Sequence, residues 1–127
     1  MNMVIGGAFQ KKYEYARNTF GLEEGWIDGA DCPAEQIYTC KGIRNFHLLV
    51  KRLLENDCLP DDFGKQICER NKDLLIVTDE LGYGVVPMDA FDRNYRETTG
   101  RICEVLAANS SQVHRVVCGI GVIIKNA

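Results

Sequence analysis

The sequence predicts a three-layer α/β domain with a mostly parallel sheet, and three observations predict it. Strand-like apolar runs alternate with helix-periodic segments along the 127 residues, the order that packs helices onto a sheet. Residues 73–78, Asp-Leu-Leu-Ile-Val-Thr, form a continuous apolar run of the kind buried on both faces of a parallel sheet. Finally, Met3-Val-Ile5 passes through a glycine turn directly into a helical pattern, a strand–turn–helix unit. The length fits one domain, residues 1–127.

Taken in order, residues 2–5 read as a buried strand, and a helix follows from about Lys11 to Phe20 with Gly21 as its stop. Gly25-Trp-Ile-Asp28 is a second short strand that ends on a carboxylate. Ile43 to Leu54 is the clearest amphipathic helix, with Ile43, Phe46, Leu49, Val50, Leu53 and Leu54 on one stripe. Pro60 opens another helix, in the first-turn position proline prefers, running to about Asn71. Asp89 is an N-cap with Asp92 three residues on, and its helix should bury Phe91, Tyr95, Thr98, Ile102 and Leu106. Val113–Val117 and Val122–Ile124 flank Cys118-Gly-Ile-Gly121, two strands joined by a tight glycine turn.

Composition narrows the function. Apolar residues make up 46% and charged residues 26%, as in ordinary globular proteins. A net charge of −3 gives no electrostatic case for nucleic acid. No apolar run approaches the roughly 18 residues of a membrane helix. No basic segment leads into an apolar stretch at the N-terminus, so no secretory signal is expected. The six cysteines show no C-x-x-C pair and no zinc-like spacing, so we expect buried free thiols in a cytoplasmic, reduced protein.

In parallel sheets ligands bind beyond the carboxyl ends of the strands. The loop 6–12, Asp28 and Asp79-Glu80 all fall there. The loop nearly spells the phosphate-binding P-loop, G-x-x-x-x-G-K-[ST]. Gly6 is its first glycine and Lys12 its lysine, but Lys11 replaces the second glycine and Tyr13 the magnesium-binding hydroxyl. The candidate phosphate contacts are therefore Gly6, Gly7, Ala8, Phe9, Gln10, Lys11, Lys12 and Tyr13. The plainer alternative is a strand-to-helix turn with two solvated lysines. Asp79 and Glu80, before the Gly82–Gly84 loop, have the chemistry to hold a metal-bound water or act as a base, or merely to cap and solvate. Arg93, Arg96 and Arg101 lie off their helix's apolar stripe, facing either a phosphate or solvent. His47 and His114 read as packing or surface residues, and no nucleophile–base arrangement follows from spacing.

The stretch Val77-Thr-Asp-Glu-Leu-Gly-Tyr-Gly-Val-Val-Pro87 resembles the adenosylcobinamide kinase/adenosylcobinamide-phosphate guanylyltransferase family of cobalamin biosynthesis, whose pattern there is V-T-N-E-x-G-x-G-x-V-P. The resemblance runs through Arg93, Tyr95, Arg96, Gly100-Arg101 and Leu106-Ala-Ala108 to Val116–Lys125, and Gly6-Gly-Ala8 matches the family's loop G-G-A-x-S-G-K-S. It implies a P-loop fold similar to RecA, oligomers (commonly trimers), and two reactions. A nucleoside triphosphate, ATP or GTP with Mg²⁺, phosphorylates the cobinamide side-chain hydroxyl. GTP then delivers GMP through a histidine-linked intermediate.

On this resemblance Lys12, Glu80 and Asp79 are the expected catalytic residues, and Glu80 with Asp79 the expected metal ligands. Asp79 stands where the family has asparagine, and the family's middle section is longer. Residues 37–54 resemble the segment after the family's guanylylated histidine, so His47 does not correspond to it and guanylyl transfer is not expected. The alternative is a non-catalytic nucleotide- or corrinoid-binding partner protein.

Overall fold

The computed structural model describes residues 1–81 and 89–127. The Gly82–Gly84 loop and most of the 77–87 motif's second half lie outside the described residues. Strand β1 (Asn2–Gly6) leads into helix α1 (Lys12–Phe20), then β2 (Trp26–Asp28), a 3-10 turn at Ala34–Tyr38, and β3 (Gly42–Arg44). Helices α2 (Phe46–Glu55) and α3 (Phe63–Arg70), strand β4 (Leu75–Asp79), helix α4 (Ala90–Ala108) and strands β5 (Gln112–Val117) and β6 (Ile120–Asn126) follow.

The six strands form one sheet in the order β2-β3-β4-β1-β5-β6, parallel throughout except for β6, which runs antiparallel to β5. The expected α/β class with a mostly parallel sheet and a C-terminal strand pair is present. Alternation in β1 sends Val4 to one face and Met3 to the other. Met3, Ile43, Ile76 and Val113 join Phe46, Leu49, Ile67, Ile102 and Leu106 in the larger core under α2, α3 and α4. Val4, Leu75, Val77 and Val116 meet Ala16 of α1 in a thinner core on the opposite face. The chain thus leaves β1 toward one face and β4 toward the other. Two neighbouring parallel strands whose connections diverge leave a crevice beyond their carboxyl ends.

Several boundaries hold for the expected reasons. Gly21 ends α1 at φ 64, its N–H returning to the Arg17 carbonyl. Asp89 caps α4 by accepting the Asp92 N–H at 2.7 Å.

Others need correction. Ile43 belongs to β3 rather than to a helix; it shares the helical stripe, but Gly42 and Ile43 pair with Leu75 and Ile76. Asn45, at φ 54, breaks the chain between strand and helix. Pro60 does not sit in the first helical turn: its carbonyl accepts the Phe63 N–H, and α3 begins after that turn. Phe91 is exposed because it lies beyond the sheet-covered part of α4, where it stacks on Tyr95. All six cysteines are free thiols, but only Cys32 is buried, while Cys58, after the end of α2, and Cys118, in the β5–β6 turn, are exposed.

Candidate functional site

The register of β1 on β4 pairs Gly6 with Asp79, which sets the start of the loop beside the predicted acidic pair. The Glu80 N–H continues this ladder to the Gly6 carbonyl at 2.8 Å. Gly6 has φ 157, and a Cβ there would lie 2.5 Å from the Val116 carbonyl oxygen, so only glycine fits. Phe9 and Lys11 also adopt positive φ, 61° and 62°, the latter as the N-cap of α1. Lys11 therefore holds the left-handed conformation for which the P-loop uses glycine. The far side of the loop is tied to the β5–β6 turn. There the Gln10 side chain accepts from Cys118 N–H at 2.5 Å and its carbonyl from Gly119 N–H.

Lys12 opens α1 and is almost fully buried. Its side chain folds back over the loop and donates to the Gly7 carbonyl at 2.6 Å and to Asp79 Oδ1 at 2.7 Å. A third residue completes the cluster. His47, in the first turn of α2, accepts the Asp79 backbone N–H on Nδ1 at 3.1 Å, so its proton sits on Nε2, 3.3 Å from Asp79 Oδ2. Burial pulls the His47 imidazole below its ordinary value, with the charges of Lys12 and Lys51 adding to it, against the opposing pull of Asp79 and Asp28. A neutral histidine and an ammonium thus converge on one carboxylate. Reading the sequence as packing or surface missed His47; Asp79 is 32 residues away along the chain, and the contact exists only because β3 lies beside β4.

The other predicted site residues separate. Glu80 is drawn to Arg115 of β5 at 2.8 Å, away from the cation set of Asp79. Asp28 Oδ1 accepts from Ala30 N–H and Asn45 Nδ2 at 2.9 and 3.0 Å. Burial alone would raise its carboxyl, but these hydrogen bonds and the Arg44 charge hold it below the usual range. The Tyr13 ring packs edge-on to Trp26, with the guanidinium carbons of Arg44 and Arg17 lying 4.0 and 4.6 Å from its centroid. Arg93 is exposed, Arg96 pairs with Asp92 at 3.2 Å, and Arg101 donates to Thr98 in a separate cavity of about 460 Å³ bordered by α3. These three arginines belong to α4, and the Arg96–Asp92 and Arg101–Thr98 contacts lie within that helix.

The residues present do not fit a magnesium site of the implied kind. Tyr13 carries a stacked ring where the motif has a short hydroxyl, and Asp79 and Glu80 are neutralised by different cations. Among the described residues no group of three His, Cys, Asp or Glu side chains is placed to share an ion. A largely apolar hollow of about 370 Å³ adjoins Asp79, lined by Ile5, Thr78, Leu81, Thr99 and Cys103 among others. The buried Thr99 hydroxyl on its wall has no hydrogen-bond partner among the described residues. Burial pushes the Cys103 thiol up to about 12, so it stays protonated and unreactive there.

The fold and site together define a parallel-sheet α/β domain with a lysine-bearing strand–loop–helix at its crevice. The chain belongs to the cobinamide kinase / cobinamide phosphate guanyltransferase family, whose model matches residues 47–124. It is similar to the bifunctional adenosylcobalamin biosynthesis protein CobU of Escherichia coli (strain K12), at 44% identity over 52 residues. The protein of the same description from Salmonella typhimurium (strain LT2) gives the same identity and length of match. Each match covers 41% of this chain and 29% of the relative. The family match includes His47 and Asp79, while the loop 6–12 lies outside it. No helix among the described residues is long and apolar enough to cross a membrane.

Proposed function

We propose that this chain binds the phosphates of a nucleoside triphosphate, ATP or GTP, at the 6–12 loop and acts in cobalamin biosynthesis. The observation that carries this reading is Lys12, whose ammonium turns back into the loop 2.7 Å from Asp79 at the crevice of the sheet. An incoming phosphate finds a fixed cation and the first turn of α1. Phosphoryl transfer to the cobinamide side-chain hydroxyl fits the same place. The hollow beside Asp79 seats an apolar alcohol arm, and the Asp79 carboxylate accepts the hydroxyl proton while His47 Nε2–H holds its other oxygen. Guanylyl transfer forms no part of the proposal. Family resemblance makes a homo-oligomer, commonly a trimer, the expected assembly.

A second reading, a non-catalytic nucleotide or corrinoid sensor that partners another enzyme, is favoured by the packing of Tyr13. Calorimetric titration with ATP and GTP, with and without Mg²⁺ and cobinamide, separates the two. Binding with transfer to cobinamide supports the kinase. Binding without turnover supports the sensor, and no nucleotide binding under any condition refutes the proposal.

A further inference from the structure

The magnesium ligand is missing, and two arginines occupy the neighbouring space. Arg44 stands at the carboxyl end of β3, one strand from β4, and its guanidinium lies against the Tyr13 ring in the first turn of α1. Arg17 reaches the same ring from one helical turn further on. Arg17 has a weak partner in Glu23 at 3.6 Å. The Arg44 side chain has no hydrogen bond or ion pair among the described residues, and its Nε is shut off from solvent with no partner there. A buried guanidinium N–H left without an acceptor is costly unless a ligand supplies one, and the terminal nitrogens of the fork remain open to solvent. Asp28, whose carboxyl the Arg44 charge helps to hold low, already accepts from Ala30 and Asn45. A flat ring that fixes a guanidinium next to a helix N-terminus preorganises a bidentate fork for phosphate oxygens.

We propose that Arg44, fixed on Tyr13 and assisted by Arg17, binds the phosphate chain of the nucleotide directly and makes binding independent of a divalent metal. The inference rests on the nucleotide reading above and deepens it. In place of an ion held by a short hydroxyl, the first turn carries an aromatic plate holding permanent cations. Tyr13 thus acts as a positioning residue, and Arg44 as the group that touches the ligand.

The test is calorimetry on the full chain with GTP, ATP and inorganic tripolyphosphate, in EDTA and in Mg²⁺. We expect binding in EDTA, with Mg²⁺ changing the affinity by less than about threefold. Arg44→Ala should weaken it at least about tenfold and reduce the salt dependence of binding by one ion pair, and Arg44→Lys should recover only part of the loss. Thermal melts of each variant show whether the fold is retained, and the salt slope responds only to a charge that contacts the ligand. Nucleotide binding that requires Mg²⁺, or that Arg44→Ala leaves unchanged, overturns this proposal and leaves the nucleotide reading standing. Tripolyphosphate binding without nucleotide binding supports the arginine clamp and overturns the nucleotide reading. No binding of any of the three overturns both.

Discussion

Asp79→Asn isolates the competition between Asp79 and a bound anion for Lys12. The pair is short, 2.7 Å, and largely buried, with side-chain exposures of 8% and 21%. A phosphate seated on Lys12 would lie about 5 Å from the Asp79 carboxylate, where two unit charges repel by about 3 kcal/mol at an effective dielectric of about 20. Salt and the partly open rim reduce this by about half, to about 1.4 kcal/mol, or roughly tenfold in affinity. Asparagine keeps an oxygen for Lys12 but presents N–H to the His47 Nε2–H, so one hydrogen bond is lost and stability should fall by about 1–3 kcal/mol. Titration with GTP and tripolyphosphate reads the first effect, and urea unfolding reads the second. Anion affinity that stays constant or falls, in a variant with an unchanged circular dichroism spectrum, would refute the view that Asp79 competes for the lysine.

Further outcomes follow from packing and charge. Phe46 is fully buried and stacked on Phe63 at 6.2 Å, so Phe46→Ala should cost about 3–5 kcal/mol in urea unfolding. Lys11→Gly relieves a left-handed lysine and should raise stability by up to about 1 kcal/mol, read as a higher urea midpoint. Burial lowers both His47 and His114 below the ordinary histidine value in the folded state. The unfolded chain therefore takes up protons first as pH falls through about 6.5, so stability is full above that value and declines below it. Urea midpoints at pH 7.5 and 5.5 measure the decline, and His47→Gln with His114→Gln should flatten it.

The parts of the fold that were legible in the sequence are those with local causes. The apolar run expected as a strand over 73–78 is β4, Leu75–Asp79, buried through Thr78, and Asp89 with Asp92 writes its own helix start. The glycine turn expected over Cys118–Gly121 is present but shorter: Cys118 and Gly119 make it at positive φ, and Ile120 and Gly121 already pair in β6. Ile43 was misleading because one residue satisfies the helical stripe and the strand equally, and only the pairing with Ile76 decides. In the site, Gly6 and Asp79 were visible because they stand at strand ends, and Lys12 because it opens the helix after the glycine turn. The grouping of His47 with Asp79, of Arg115 with Glu80 and of Arg44 with Tyr13 was not, because each depends on the order of strands in the sheet.

One feature of the architecture bears on how the loop moves. Three helices thicken one side of the sheet, while on the other the contacts of α1 run through Tyr13 to Trp26 of β2 and through Ala16, Tyr15 and Phe20 to a few residues of β1, β4 and β5, among them a 2.7 Å hydrogen bond from Tyr15 to His114. Local opening costs least where the fewest apolar contacts are lost. The layer that carries the loop is therefore the first to breathe, and its amides should exchange ahead of those of α2 and α4. Ligand at the loop would brace this thin layer from its exposed end, so occupancy can be followed as slowed exchange along α1 without any change in the shape of the sheet.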